Sequence, residues 1–334
     1  MSTNIKDLDK SIQEGKLNSL YVLYGEETYL IEEYLRKIKK AFGELSTGIN
    51  YITHDEKSIS TIISDIETPS FGYEKKLIVV RNSGIFKKEY KEPIKEKLVE
   101  YIKENKELLD ESCVIVFIEE TVHKFEMYKT VEPVGIVIEF QELKPIQLVE
   151  RLKKICAMYK VRVLDKNLQY LIEISGTNMQ DLINEIRKLI EFAGPGGEIT
   201  QDAIEKLANK QIQAVIFDLT DSLGTKNSTK ALETLDGLIY NKEPVQKIIV
   251  VLYNHFKKIY LTKMALKEKK NVQDVLDLKP NQTFLSTKYI NQSRYFSEEE
   301  IRQLLDEIID LDYKYKIGHI DIDVGLKSIL CKNC

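Results

Sequence analysis

The sequence predicts an α/β unit built on a mostly parallel sheet, followed by a chain of helices only. Up to about residue 140, five short apolar runs alternate with segments of helical period, the signature of strands crossed over by helices. From Pro145 onward apolar residues recur at the helical period alone. The 334 residues are 43% hydrophobic and 31% charged, enough core for two or three domains of about 100–200 residues each. Composition also narrows the function. Forty-nine basic residues against 53 acidic ones give −4, which opposes a whole-surface nucleic-acid binder and leaves room for a local basic patch. The polar start Met1–Asp7 is no secretory signal, and no apolar run approaches the roughly 20 residues of a membrane helix. Four cysteines in this length make no disulfide framework, so a cytoplasmic location is expected.

The strands and helices of the first part follow in order. Leu20–Tyr24 reads as a strand, ended by Gly25. Glu26–Phe42 has helical spacing, with acidic residues early and Arg36, Lys37, Lys39 and Lys40 late, which complements the helix dipole. Asn50–His54 is a second strand and Ser58–Glu67 a helix with Ile59, Ile62, Ile63 and Ile66 on one face. Leu77–Val80 is an apolar run suited to a buried strand. Pro93 starts a helix over Ile94–Leu109; Val114–Ile118 and Val134–Phe140 complete the strands. Just before Leu77–Val80, Phe71 sits among Pro69, Ser70 and Gly72, residues that end helices. It is either a core anchor or an apolar plug offered to a partner.

A parallel sheet invites a nucleotide at its first strand-to-helix turn, where a phosphate loop reads G-x-x-x-x-G-K-[ST]. Here Tyr24-Gly25-Glu26-Glu27-Thr28-Tyr29-Leu30 has one glycine, no lysine and two carboxylates that would repel a triphosphate, although backbone N–H groups could still point outward. Glu119 and Glu120, after the fourth strand, resemble the acidic end of a metal-binding strand; without a phosphate loop they read as solvated loop carboxylates. No ATP hydrolysis, cofactor or metal is expected.

The helices of the second part begin with Ile146–Tyr159. Asp165 caps the next, and Asn178–Phe192 ends at Gly194-Pro195-Gly196-Gly197. Thr200 caps Gln201–Lys210, closing a small all-α unit. Then come Ile212–Leu223, Ser228–Tyr240, Pro244–Lys269, Phe284–Arg294, Ser297–Lys316 with a Ser297/Glu300 capping box, and a helix near Asp321–Leu330. Lys267, Lys269 and Lys270 end the longest helix; the dipole alone accounts for them, and a nucleic-acid role is the alternative. Cys331 and Cys334 form a C-x-x-C with no second pair for zinc and no strand before it for redox work, so a flexible tail with incidental thiols is expected. Cys113 and Cys156 read as buried, and His54, His123, His255 and His319 show no ligand spacing. No Ser/His/Asp or Cys/His constellation is present.

Four stretches in order resemble the delta subunit of the bacterial DNA polymerase III clamp loader. Tyr21–Leu35 (YVLYGEETYLIEEYL) is similar to its degenerate first turn, and Pro69–Val80, with Phe71-Gly72 and Lys75-Lys76-Leu77, to its third-strand segment. Gly176, Asn178, Asp181, Leu182, Glu185, Lys188 and Leu189 resemble its lid signature, and Phe217-Asp218-Leu219-Thr220-Asp221 the start of its third domain. The resemblance implies an AAA+-like clamp-binding domain at 1–141 without a functional phosphate loop, a helical lid at 142–210 and a helical collar at 211–334. It implies a non-catalytic, DNA-associated component of a DNA-directed DNA polymerase holoenzyme (a nucleotidyltransferase, EC 2.7.7.7). Such a subunit binds the beta sliding clamp and helps open it for loading onto primed DNA, while tau/gamma and delta-prime subunits join it through the collar. The clamp contact implied is Thr68, Pro69, Ser70 and Phe71, which favours the plug; where the family has bulkier apolar neighbours, this chain has Thr68 and Ser70. An active AAA+-type ATPase is opposed by the missing G-K-[ST]. The delta-prime scaffold is opposed by the lack of a cysteine cluster and a Ser-Arg-Cys finger, and a DNA-binding regulator by the lack of a recognition helix.

Overall fold

A computed structural model describes residues 5–333. It divides into two compact units, the first ending at Glu142 and the second beginning at Leu143. The first unit is α/β and the second almost wholly helical, as expected.

In the first unit a short helix α1 (Ile5–Gln13), which the sequence reading missed, precedes strand β1 (Leu20–Tyr24). Helix α2 spans Thr28–Phe42 and β2 spans Tyr51–His54. The expected helix over Ser58–Glu67 is a 3-10 turn, Ile59–Thr61, running into α3 (Ile62–Glu67). Strand β3 is Lys76–Arg81. The expected helix Ile94–Leu109 is two helices, α4 (Pro93–Glu104) and α5 (Lys106–Ser112). Asn105 between them leaves helical geometry at φ −116°, ψ 33°, and its N–H donates to the Tyr101 carbonyl. Strand β4 (Cys113–Glu119), helix α6 (Glu126–Val131, also missed) and β5 (Ile136–Glu139) complete the unit.

The five strands pair in the order β2-β3-β4-β1-β5, and every pair is parallel. Parallel strands need crossovers, and crossovers put helices on both faces. That is why β1 and β4 are buried at every residue and read as continuous apolar runs rather than as alternation. Ile62 and Ile66 of α3, Leu98 and Ile102 of α4 and Met127 and Val131 of α6 pack on Val22, Ile78, Val80, Ile115 and Phe117 in one core.

The second unit opens with α7 (Pro145–Met158), β6 (Arg162–Val163), α8 (Asp165–Ser175) and α9 (Met179–Ala193), followed by β7 (Glu198–Ile199) and α10 (Gln201–Leu207). The β6–β7 ribbon was not foreseen; two-residue strands are too short to leave a period. Asp165 was expected to cap α8 but is its first helical residue, and its carboxylate lies 2.7 Å from Lys153 Nζ. Asn178 and Thr200 do cap, accepting from the N–H groups of Asp181 and Ala203.

Helices α11 (Ile212–Gly224), α12 (Ser228–Tyr240), α13 (Val245–Lys267), α14 (Val272–Val275), α15 (Phe284–Gln292), α16 (Glu298–Lys316) and α17 (Ile322–Lys332) enclose one further core. The Ser297/Glu300 capping box forms as expected. The expected flexible tail is corrected: Cys331 lies in the last turn of α17, exposed, while Cys334 falls outside the described residues. Several of these helices end in a Schellman arrangement, and four times in the unit the left-handed position after the helix is a lysine rather than a glycine. These are Lys160, Lys226, Lys242 and Lys269, at φ +56° to +60°.

His255 of α13 is the centre of the last core. Its ring lies 4.4 Å from that of Phe217 and 5.1 Å from that of Tyr289, centroid to centroid. The side-chain amide of Gln292 donates to the Phe217 carbonyl and to Asp221 Oδ1, so its oxygen faces His255 and accepts from Nε2–H at 2.8 Å. Burial pushes the His255 pKa down to about 4, with nearby Lys258 adding to the shift. Above pH ~6.5 the ring is neutral in both folded and unfolded chains. As pH falls from there to about 4 the unfolded chain takes up a proton that the folded chain refuses, so stability is lost over that window, on the order of 3 kcal/mol. Urea titrations between pH 7 and pH 4 on native protein and His255→Gln test this: the native stability should fall more steeply, and parallel curves would remove His255 as the cause.

Candidate functional site

Two ends of the sheet matter. Because all strands run the same way, the turn after β1 and the turn before β3 lie at opposite ends of the sheet, on the order of 20 Å apart.

At the first end, the turn after β1 is closed by internal carbonyls. Gly25 N–H donates to the Glu119 carbonyl at 3.3 Å, Glu27 N–H to the Phe140 carbonyl at 3.0 Å and Thr28 N–H to the Glu26 carbonyl at 3.0 Å. The expectation that these amides could point outward is therefore corrected for those three groups. Phe140 continues the β5 ladder by donating to the Tyr24 carbonyl, and its own carbonyl then fills the turn. A Cβ on Gly25 would lie 2.4 Å from that oxygen, and Gly25 also holds φ +121°, so no other residue fits. Glu27 is buried, not a loose carboxylate.

Glu119 also differs from its reading. It is the buried last residue of β4, and its carboxylate accepts from Ser83 N–H (3.0 Å), Ser83 Oγ–H (2.6 Å) and Gly84 N–H (3.2 Å). Burial raises its pKa, and those hydrogen bonds pull the other way. A carboxylate committed to three protein donors fastens the end of β3 to β4. Among the described residues no cluster of His, Cys, Asp and Glu is placed to hold a metal ion.

At the second end stands Phe71, 77% exposed. Helix α3 stops at Glu67, and the Ser64 carbonyl in its last turn accepts from both the Thr68 N–H (3.0 Å) and the Thr68 hydroxyl (2.7 Å). Ser70 to Tyr73 then form a β-turn: Tyr73 N–H donates to the Ser70 carbonyl (2.8 Å) and Ser70 Oγ–H to the Tyr73 carbonyl (2.7 Å). Gly72, at the third position, has φ +84°, the left-handed geometry of a type II turn. Phe71 occupies the second position, at the apex. Thr68 and Pro69 are exposed beside it and Ser70 is half-buried, so the structure brings the four expected residues together on one projection. The two polar members build its support.

Lys76 was missed as part of this site. It is 2% exposed, and its ammonium donates to the Asp65 carbonyl in α3. The Asp65 carboxylate in turn lies 3.1 Å from His54 Nε2 at the end of β2. The helix that carries the projection is thus tied to two strands. A lysine directly before the apolar run Leu77–Val80 was the available signal. The lysines at and just past the end of α13 are partly neutralised: Lys267 pairs with Glu298 at 3.6 Å and Lys270 with Glu268 at 2.6 Å.

Comparison with known proteins places this arrangement. Residues 21–141 match the family model "DNA polymerase III, delta subunit", and residues 213–333 match "DNA polymerase III delta subunit, C-terminal domain". DNA polymerase III subunit delta of Bacillus subtilis is 26% identical over 97% of this chain and 95% of its own length. A probable DNA polymerase III subunit delta of Aquifex aeolicus is 28% identical over 93% and 90%. The solved structure of a Bacillus subtilis DNA clamp loader delta protein superposes with a TM-score of 0.72 at 24% identity, covering 99% of both chains, a likeness of fold. The two family models together span well over half of the sequence, one in each unit, and the chain belongs to the DNA polymerase III delta subunit family.

Proposed function

We propose that this chain is the clamp-binding subunit of its clamp loader and that the Phe71 turn is what docks. The observation that carries the reading is the exposure of Phe71 at the apex of a braced turn. An aromatic ring left in water forgoes roughly 1.5–3 kcal/mol of burial, which a partner's apolar pocket would recover. Phe71 is the anchor; Thr68, Pro69 and Ser70 surround it at the rim. The partner is the beta sliding clamp, and docking helps hold the ring open for primed DNA. Residues 1–141 form the clamp-binding domain, 142–210 the lid and 211–334 the collar that joins tau/gamma and delta-prime subunits in the cytoplasm.

This chain does not hydrolyse ATP on the same reading. The amides that would cradle phosphate are engaged by the carbonyls of Glu119, Phe140 and Glu26, and the turn from Tyr24 to Leu30 holds no lysine. The isolated protein with Mg-ATP should release no phosphate above buffer; stoichiometric turnover would overturn this half of the proposal.

The docking half is tested by capture of purified protein on immobilised sliding clamp. Phe71→Ala should weaken binding about thirtyfold or more, the effect of losing a buried anchor of about 2 kcal/mol. Its melting temperature should match that of the native chain, because the ring makes no core contact. Equal capture of the two proteins would remove Phe71 from the mechanism.

A further inference from the structure

The first unit carries a second surface, built for a different ligand. The last turn of α4, the start of α5, helix α6 and the loop before β5 enclose an open groove. Ile102, Pro133 and Val134 supply apolar floor, and Phe125 stands at the edge, 45% exposed. Lys103, Lys106 and Lys129 form the rim. Glu126 is the carboxylate among the lining residues, and it lies 3.6 Å from Lys103 Nζ. Among the described residues no carboxylate pairs with Lys106 or Lys129. Two more ammonium groups lie over aromatic rings nearby: Lys88 Nζ is 5.5 Å from the Phe125 centroid and Lys124 Nζ is 5.8 Å from that of Tyr128.

Ordinary helix electrostatics explains part of this. Lys103 and Lys129 lie in the last turns of α4 and α6, where the dipole favours cations. Lys106 does the opposite: it opens α5, where the dipole disfavours a positive charge. Phe125 meets Lys88 and, edge-on, His123 within the unit, yet keeps 45% of its surface in water beside the unpaired Lys106 and Lys129.

A polyanion with flat, apolar faces fits such a groove. Its phosphates meet the rim and a base lies on the aromatic ring, the pattern by which proteins hold single strands without reading their sequence. An acidic peptide would satisfy the lysines and leave the ring without a planar partner. We infer that this groove binds single-stranded DNA, with Lys106 and Lys129 on backbone phosphates and Phe125 as the stacking platform. The binding is independent of the Phe71 turn.

Fluorescence anisotropy of a labelled oligothymidylate, titrated with the full chain across a salt series, tests the inference. The native protein should bind at low salt, with log affinity falling linearly in log salt. The Lys106→Ala/Lys129→Ala protein should bind more weakly, with a slope shallower by about 1.4, two phosphates at roughly 0.7 each. Phe125→Ala should lose at least about fivefold in affinity with its slope unchanged. Phe125→Leu, which keeps most of the apolar volume, should lose nearly as much, separating stacking from packing. Phe71→Ala should bind like the native chain, and the lysine variant should still be captured by the sliding clamp, so the two readings fail separately. The inference is overturned if the native chain leaves the oligonucleotide free at the lowest salt, or if the lysine and Phe125 variants bind it as the native chain does. It is also overturned if a polyglutamate peptide displaces the oligonucleotide at equal charge concentration.

Discussion

A backbone amide at the end of a buried parallel strand has to find an acceptor, and in this protein the acceptor at the critical turn is a carbonyl. Where the sheet topology offers a ligand site, Phe140 closes it from within, reaching the turn because β5 runs beside β1 and is continued one residue past its last pair. Gly25 admits that oxygen, and Glu119, whose backbone carbonyl takes the Gly25 amide, turns its side chain to Ser83 and Gly84 instead of to a metal. One end of the sheet is thereby closed by the protein's own groups, while the opposite end carries the exposed Phe71 turn.

At that opposite end a side chain is exposed and yet placed by its neighbours. Phe71 owes nothing to the core, yet its position is set by neighbours that do. The Thr68 hydroxyl finishes α3, the Ser70 hydroxyl and Gly72 form the turn, and buried Lys76 holds α3 to β3. A turn braced in this way has little conformational freedom left to lose if its apex is covered.

Much of the fold was legible in the sequence because it rests on long apolar periods. All five strands of the main sheet were visible as short apolar runs, and the change of period at Pro145 marked the start of the helical region. Phe71 was legible too, through the Pro, Ser and Gly around it. What escaped had no periodic trace. Asn105 interrupts a helix by geometry alone, the β6–β7 ribbon is two residues wide, and α1 and α6 are short. Glu119 was misread because an acidic residue after an apolar run resembles a solvated loop until its three donors, more than 30 residues away in sequence, are known. Lys106 and Lys129 are far apart in the chain and meet only through the packing of α4 against α6.

The four left-handed lysines bear on the energetics of the helical unit. A side chain at that backbone geometry costs roughly 1–2 kcal/mol relative to the right-handed region, and glycine would avoid most of it. At Lys160, Lys226, Lys242 and Lys269 the chain keeps a charged side chain at a helix end and accepts the local penalty. Over four sites the gross penalty is roughly 4–8 kcal/mol, and because glycine itself loses about 0.5–1 kcal/mol more backbone entropy on folding, the net difference from glycine is smaller. Each end keeps both closing hydrogen bonds of the Schellman arrangement, as where Lys226 N–H donates to the Leu223 carbonyl and Asn227 N–H to the Ser222 carbonyl, so the penalty is offset at the place where it arises. The helix ends of the second unit are thus fixed by hydrogen bonds where a glycine would more commonly relieve the backbone.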